Sequence, residues 1–100
     1  MSILNAMHPD PTMTIYDKLS VIASIKLGLK KTIEYMDARY WNDKTVCLEI
    51  AQRWGKYSQF FSDELKNDAD VMSEAVKSYP YSQRWATANA KKIIQLTNKN

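Results

Sequence analysis

Apolar residues in this chain recur at three- and four-residue steps, stop, and then resume in the same phase. The clearest run follows Asp43. Val46, Cys47, Ile50, Ala51 and Trp54 fall within about 140° of arc at the helical step, while Glu49, Gln52 and Arg53 face the other way. The pattern predicts an amphipathic helix capped by Asp43 and ended by Gly55 in the left-handed conformation. A second run follows Asp68, which reads as another cap. Val71, Met72, Ala75, Val76 and Tyr79 form its stripe, and Pro80 stops it.

The flanking segments are less regular. Thr14-Ile15-Tyr16-Asp17 reads as a capping box with Asp in place of Glu, followed by a helix to about Leu27 that Gly28 interrupts. Leu29, Ile33, Met36 and Tyr40 are spaced as one face of a further amphipathic helix. Tyr57, Phe60, Phe61 and Leu65 mark a short helix or helical turn. From about Ser82 to Thr97 the apolar face is Trp85, Ala88 or Asn89, Ile93 and Leu96, unless Thr87 caps a new helix and divides the segment. No run alternates apolar and polar residues as a strand does. Pro9 and Pro11 favour extended backbone, so residues 1–12 are expected to form a mobile arm, and the tail "TNKN" to fray. The expected architecture is one all-α domain over residues 13–97.

Sliding residues 42–66 onto 67–91 aligns Asn42 with Asn67, Asp43 with Asp68, Val46 with Val71, Glu49 with Glu74 and Lys66 with Lys91. Five identities exceed the roughly one or two that ordinary residue usage gives. Ile50 also meets Ala75, Trp54 meets Tyr79, Gly55 meets Pro80, Phe60 meets Trp85 and Ser62 meets Thr87. The same offset applied backwards puts Val21, Ile25 and Leu29 on Val46, Ile50 and Trp54, a degenerate first copy. The chain therefore reads as a small helical bundle or short solenoid of about three helix–turn–helix repeats of 25 residues, over about 17–41, 42–66 and 67–91. Phe60 and Leu65 are then packing anchors, Ser62 a turn former, and Asn67-Asp68 the start of the next unit.

The stretch from Asp43 through Gly55 to "SQFFSDELKND" and "ADVMSEAVKSYP" resembles the tandem repeats called domain of unknown function 4116. Their pattern of aromatic, Ala, Ser, two acids, Leu, base, Asn and Asp is matched by Phe60, Ser62, Asp63, Glu64, Leu65, Lys66, Asn67 and Asp68. Phe61 replaces the usual Ala, which Ala86 keeps in the next copy. The resemblance covers about 42–91, and 17–41 more weakly. It implies a helical, repetitive fold and no particular chemistry.

Composition agrees with one small helical domain. The chain has 100 residues, 45% of them hydrophobic, with only 2 Gly and 3 Pro. A single Cys excludes an internal disulfide, and Cys47 falls on the apolar stripe as a small buried hydrophobe. The lone His8 has no neighbours at metal-ligand spacing. The N-terminus lacks the features of a signal peptide, and no apolar run approaches the roughly 18 residues of a membrane span. These observations point to the cytoplasm.

Net charge is +3, and its distribution is uneven. Residues 57–74 carry Asp63, Glu64, Asp68, Asp70 and Glu74 against Lys66 alone. Residues 75–100 carry Lys77, Arg84, Lys91, Lys92 and Lys99 and no acid. There is no Gly-rich phosphate loop and no Ser–His–Asp set. The paired carboxylates fall at turns and helix starts, where caps and dipoles favour acids. No catalytic residue, metal ligand or cofactor site is expected, and the chain reads as a non-enzyme.

The functional expectation is a protein–protein interaction module. Its size and lack of chemistry suit a small inhibitor or adaptor, including the type that phages and mobile elements direct at host enzymes. Candidate partner-binding residues are Trp41, Tyr57 and Tyr81 at turns, with Arg84, Lys91 and Lys92 beside them. The alternative is a nucleic-acid-binding protein using the basic C-terminal helix. Apolar ends of a short stack also offer surfaces for a homodimer.

Overall fold

The computed structural model describes the backbone of residues 11–97 and the side chains of residues 18–97. Every regular element among them is helical. The first helix, α1, spans Pro11–Lys26. Its first residue is a proline, whose fixed φ and missing N–H suit that position. Thr14 therefore lies inside the helix and not at its cap. The arm expected over 1–12 falls outside the described residues up to residue 10, and Pro11 is already helical. Gly28 ends the segment with φ of 82°, the left-handed conformation that glycine adopts without strain.

The helix expected around Leu29, Ile33, Met36 and Tyr40 is two elements. Helix α2 spans Lys31–Tyr35, and a 3-10 helix follows over Ala38–Asn42. Met36 and Asp37 are extended between them, and the Asp37 carboxylate accepts from the Arg39 backbone N–H at 2.8 Å. That local bond starts a new turn where the hydrophobic spacing suggested continuity. Ile33 and Tyr40 are buried, whereas Leu29 is exposed.

Helix α3, Lys44–Arg53, packs within the core of the described chain. Asp43 caps it by accepting from the Val46 N–H at 3.1 Å. Val46, Cys47, Ile50 and Ala51 are fully buried, and Trp54 packs on the core from its edge. Gly55 does not have a positive φ. It is required because the chain passes very close to the following unit: a Cβ there would fall on the Ala75 carbonyl oxygen and the Ser78 hydroxyl. Ser78 Oγ donates to the Ala51 carbonyl at 2.6 Å and accepts from the Gly55 N–H at 2.9 Å.

A 3-10 helix over Gly55–Phe60 leads to the one-turn helix α4, Asp63–Lys66. Phe61, not Phe60, is the anchor: Phe61 is buried and Phe60 is 53% exposed. Phe61 becomes extended after the 3-10 helix and turns its ring inward, as the smaller Ala86 does in the equivalent position. Helix α5, Ala69–Ser78, is capped by Asp68, which accepts from Asp70 N and Val71 N. A further 3-10 helix, Pro80–Trp85, and helix α6, Ala88–Thr97, complete the described chain. Residues 98–100 of the tail expected to fray lie outside the described residues.

Thr87 divides the last segment. Its Oγ1 accepts from the Ala90 N–H at 3.1 Å, and α6 starts in a fresh phase. As a result Ala90 and Ile94 are buried, while Ile93 and Leu96 are exposed, which corrects the expected face. Helix α3 packs against α1 and α5, and α5 packs in turn against α6 and both later 3-10 helices.

Several contacts recur 25 residues apart. Ser62 Oγ donates to Asn42 Oδ1 at 2.6 Å, and Thr87 Oγ1 donates to Asn67 Oδ1 at 2.6 Å. Ser62 N donates to the Trp41 carbonyl at 3.0 Å, and Thr87 N to the Lys66 carbonyl at 3.1 Å. The cap carboxylates also share a role: Lys18 pairs with Asp43 at 2.8 Å, and Lys44 with Asp68 at 3.0 Å.

Candidate functional site

The two 3-10 helices that follow α3 and α5 build the most chemically distinctive surface. Each opens after an aromatic residue with φ far from the helical value, Trp54 at −139° and Tyr79 at −151°. Each then places side chains three apart on one side, because a 3-10 helix has three residues per turn. Arg84 thereby lies over the Tyr81 ring, its guanidinium carbon 5.7 Å from the ring centre. Phe60 likewise lies beside Tyr57, with ring centres 6.4 Å apart.

Pro80, Tyr81, Gln83, Arg84 and Lys91 line an open cleft of about 410 Å³. A smaller cleft of about 220 Å³ is lined by Lys30, Arg53, Trp54, Gly55, Lys56, Ser78 and Tyr79. The Tyr79 and Tyr81 rings, 5.9 Å apart, connect the two linings. Neither lining contains a carboxylate. Arg53 is matched by Glu49 at 2.9 Å. Lys30, Lys56, Arg84 and Lys91 form no ion pair among the described residues, whereas Lys18, Lys26, Arg39, Lys44 and Lys77 all have acidic partners.

The sequence candidates thus separate. Tyr81, Arg84 and Lys91 meet in the larger cleft. Trp41 and Tyr57 are half-buried against the core and share a second cluster with Phe60 and Phe61; Trp41 lies 5.6 Å from Phe60 and 6.0 Å from Phe61. Lys92 is exposed and lines neither cleft. Periodicity assigned Trp54 and Tyr79 to the core, yet both are only partly buried and line the smaller cleft. Lys30 and Lys56 carried no signal of their own. The register did: 54, 55 and 56 align with 79, 80 and 81 at the helix breakers.

The acids and the thiol have structural roles. Partial burial pushes the Asp43 pKa up, but the Lys18 ammonium and the Val46 N–H outweigh it and hold the carboxyl below its usual 3.8. At Asp68 burial is likewise outweighed by Lys44 and the Val71 N–H. Lys44 is raised by its hydrogen bond to Asp68. Burial, with the Asp43 charge, pushes the Cys47 thiol up to about 12, and its Sγ donates to the Tyr40 carbonyl at 3.2 Å. A thiol so placed is not a nucleophile at neutral pH. His8 lies outside the described residues. Among those described, no three His, Cys, Asp or Glu side chains gather as metal ligands, and no helix is long and apolar enough to cross a membrane.

Residues 43–82 match the family model described as domain of unknown function (DUF4116). The match begins at the Asp43 cap and ends within the third 3-10 helix, Pro80–Trp85, so it spans α3 to α5 and the smaller cleft's main walls. No curated protein and no solved structure matches the chain.

Proposed function

We propose that this protein is a non-enzymatic interaction module: a short solenoid of about three 25-residue helical units that binds a protein partner along its 3-10 helices. The observation that carries this reading is the exposure of two large aromatics on neighbouring 3-10 helices, Phe60 at 53% and Tyr81 at 66%. Exposed aromatics beside arginine are what protein interfaces use as anchors. Trp41 supports Phe60 from below, and Arg84 flanks Tyr81, so both anchors are held in place before a partner arrives. A small inhibitor or adaptor acting in the cytoplasm suits such a surface.

The test is site-specific photo-crosslinking from position 83, on the same cleft, in a lysate of the source organism, compared with Phe60→Ala, Tyr81→Ala and the double variant carrying the same crosslinker. One reproducible partner should be captured, and both substitutions should weaken its recovery while leaving the helical circular dichroism unchanged. A partner captured equally well by the double variant rules out this face. Self-association is read separately by light scattering: the exposed apolar ends are Leu19 on α1 with Leu27 just after it, and Ile93 and Leu96 on α6.

A second reading, nucleic-acid binding, rests on Arg84 and Lys91 sharing a cleft free of carboxylates, with Lys92 beside them in sequence. It requires binding to duplex or single-stranded DNA that weakens steeply with salt. No binding at low salt removes it.

A further inference from the structure

The unmatched cations of this face gather around the tyrosine pair. Lys30 and Lys56 line one cleft, Arg84 and Lys91 the other, and Tyr79 and Tyr81 stand between them. Lys31, Lys66 and Lys92 are the other described cations without an acidic partner, and they lie outside both linings. Neither tyrosine hydroxyl makes a hydrogen bond among the described residues, so both remain available as donors on a face already rich in N–H groups. Such a face is complementary to carboxylates, which accept from guanidinium, ammonium and phenol donors alike.

We infer that the partner presents an acidic segment to this face, with carboxylates held by Arg84 and Lys91 in the larger cleft and by Lys30 and Lys56 in the smaller. This rests on the interaction-module reading and names the chemistry of its partner. The aromatic geometry favours a peptide over a nucleic acid. Bases stack on open ring faces, but Trp85 stacks on Tyr79 with ring centres 6.2 Å apart and planes 12° apart, and Arg84 covers a face of Tyr81. One face of each ring is thereby taken, which leaves less room for bases to stack, while both hydroxyls can donate to a carboxylate. The recurrence of a cleft at each helix breaker, 54–56 and 79–81, lets one extended segment engage both.

The experiment selects random displayed dodecapeptides against the full chain and measures binding of the synthesised winners by fluorescence anisotropy. Selected peptides should be enriched in Asp and Glu. They should lose at least about tenfold in affinity to Arg84→Glu/Lys91→Glu, and bind more tightly as salt is lowered. The milder Arg84→Gln/Lys91→Gln protein repeats the comparison if charge reversal perturbs folding. The inference is overturned if no peptide is selected, if the winners are neutral or basic, or if acidic winners bind both variants like the parent. It is also overturned if oligothymidylate binds more tightly than any peptide through the same residues, or if those variants abolish a self-association that makes a second copy the occupant. Neutral winners that still need Tyr81 reject the acidic partner and leave the interaction module standing. Failure of crosslinking to depend on Phe60 and Tyr81 rejects the module itself.

Discussion

Ser58 is fully buried, and its hydroxyl has no hydrogen-bond partner. Ser82, equally buried on the next 3-10 helix, donates to the Tyr79 carbonyl at 2.6 Å. An unpaired buried hydroxyl opposes folding, so Ser58→Ala should be neutral or stabilising by up to about 1 kcal/mol, while Ser82→Ala should destabilise. Urea denaturation of the two variants distinguishes them. Titration gives a second outcome. The Cys47 pKa rises from 9.0 to about 12 on folding. The unfolded chain loses this proton first, so stability is complete below pH 9 and falls as pH rises toward 12. Cys47→Ala should flatten that alkaline slope. Asp43 and Asp68 act in the opposite direction: both are held below 3.8, so their stabilisation is complete above that pH and is lost as pH falls through the lowered values. Asp68→Asn should reduce the acid sensitivity of unfolding and lower stability at neutral pH.

Joints between the helices are built from few atoms. At Gly55 the chain approaches α5 so closely that a methyl group displaces the Ser78 hydroxyl or the Ala75 carbonyl. Gly55→Ala should therefore destabilise by about 1–3 kcal/mol through overpacking, despite alanine's better helix propensity. Gly28→Ala meets no neighbour, and its cost comes from the positive φ alone. The Asn42 and Asn67 carbonyls each receive a hydroxyl hydrogen bond at 2.6 Å from the cap of a following helix. Asn42→Ala and Asn67→Ala should each cost about 0.5–1.5 kcal/mol, and equal costs measured by thermal melting would support one joint used twice. Strongly unequal costs would argue against that equivalence.

Across the molecule, one apolar row steps through the helices at the same interval. Val21, Val46 and Val71 are 7%, 0% and 0% exposed, and Leu96, the next position in register, is 63% exposed. The row is buried where a following helix covers it. Truncation inside the row's central helix should be costly and truncation at its end cheap. Ile50→Ala should lose about 2–5 kcal/mol, and Leu96→Ala less than about 0.5 kcal/mol, both from urea midpoints at constant m. An Ile50→Ala cost as small as that of Leu96→Ala would mean that α3 is not the organising helix.

Local chemistry in the chain determined where most helices begin and end. Asp43, Ser62, Asp68 and Thr87 each offer a side-chain acceptor to the backbone N–H groups that follow, and Pro80 and Gly28 interrupt helices through their own backbone constraints. These are interactions within a few residues, so spacing and residue type suffice to read them. The buried stripe of α3 and α5 was legible for the same reason, since one helix face follows from 3.6 residues per turn. The break at Asp37 and the new phase after Thr87 are local as well, set by the Asp37–Arg39 and Thr87–Ala90 bonds, though the hydrophobic spacing did not show them. Tertiary packing decided what neither could carry: the inward turn of Phe61 instead of Phe60. It also decided why residue 55 is glycine, because the constraint comes from Ala75 and Ser78, twenty or more residues away. The cation and aromatic clefts belong to this second class. Lys30, Lys56, Arg84 and Lys91 are scattered along the chain, and only the tertiary fold brings Lys30 to Lys56 in one cleft and Arg84 to Lys91 in the other.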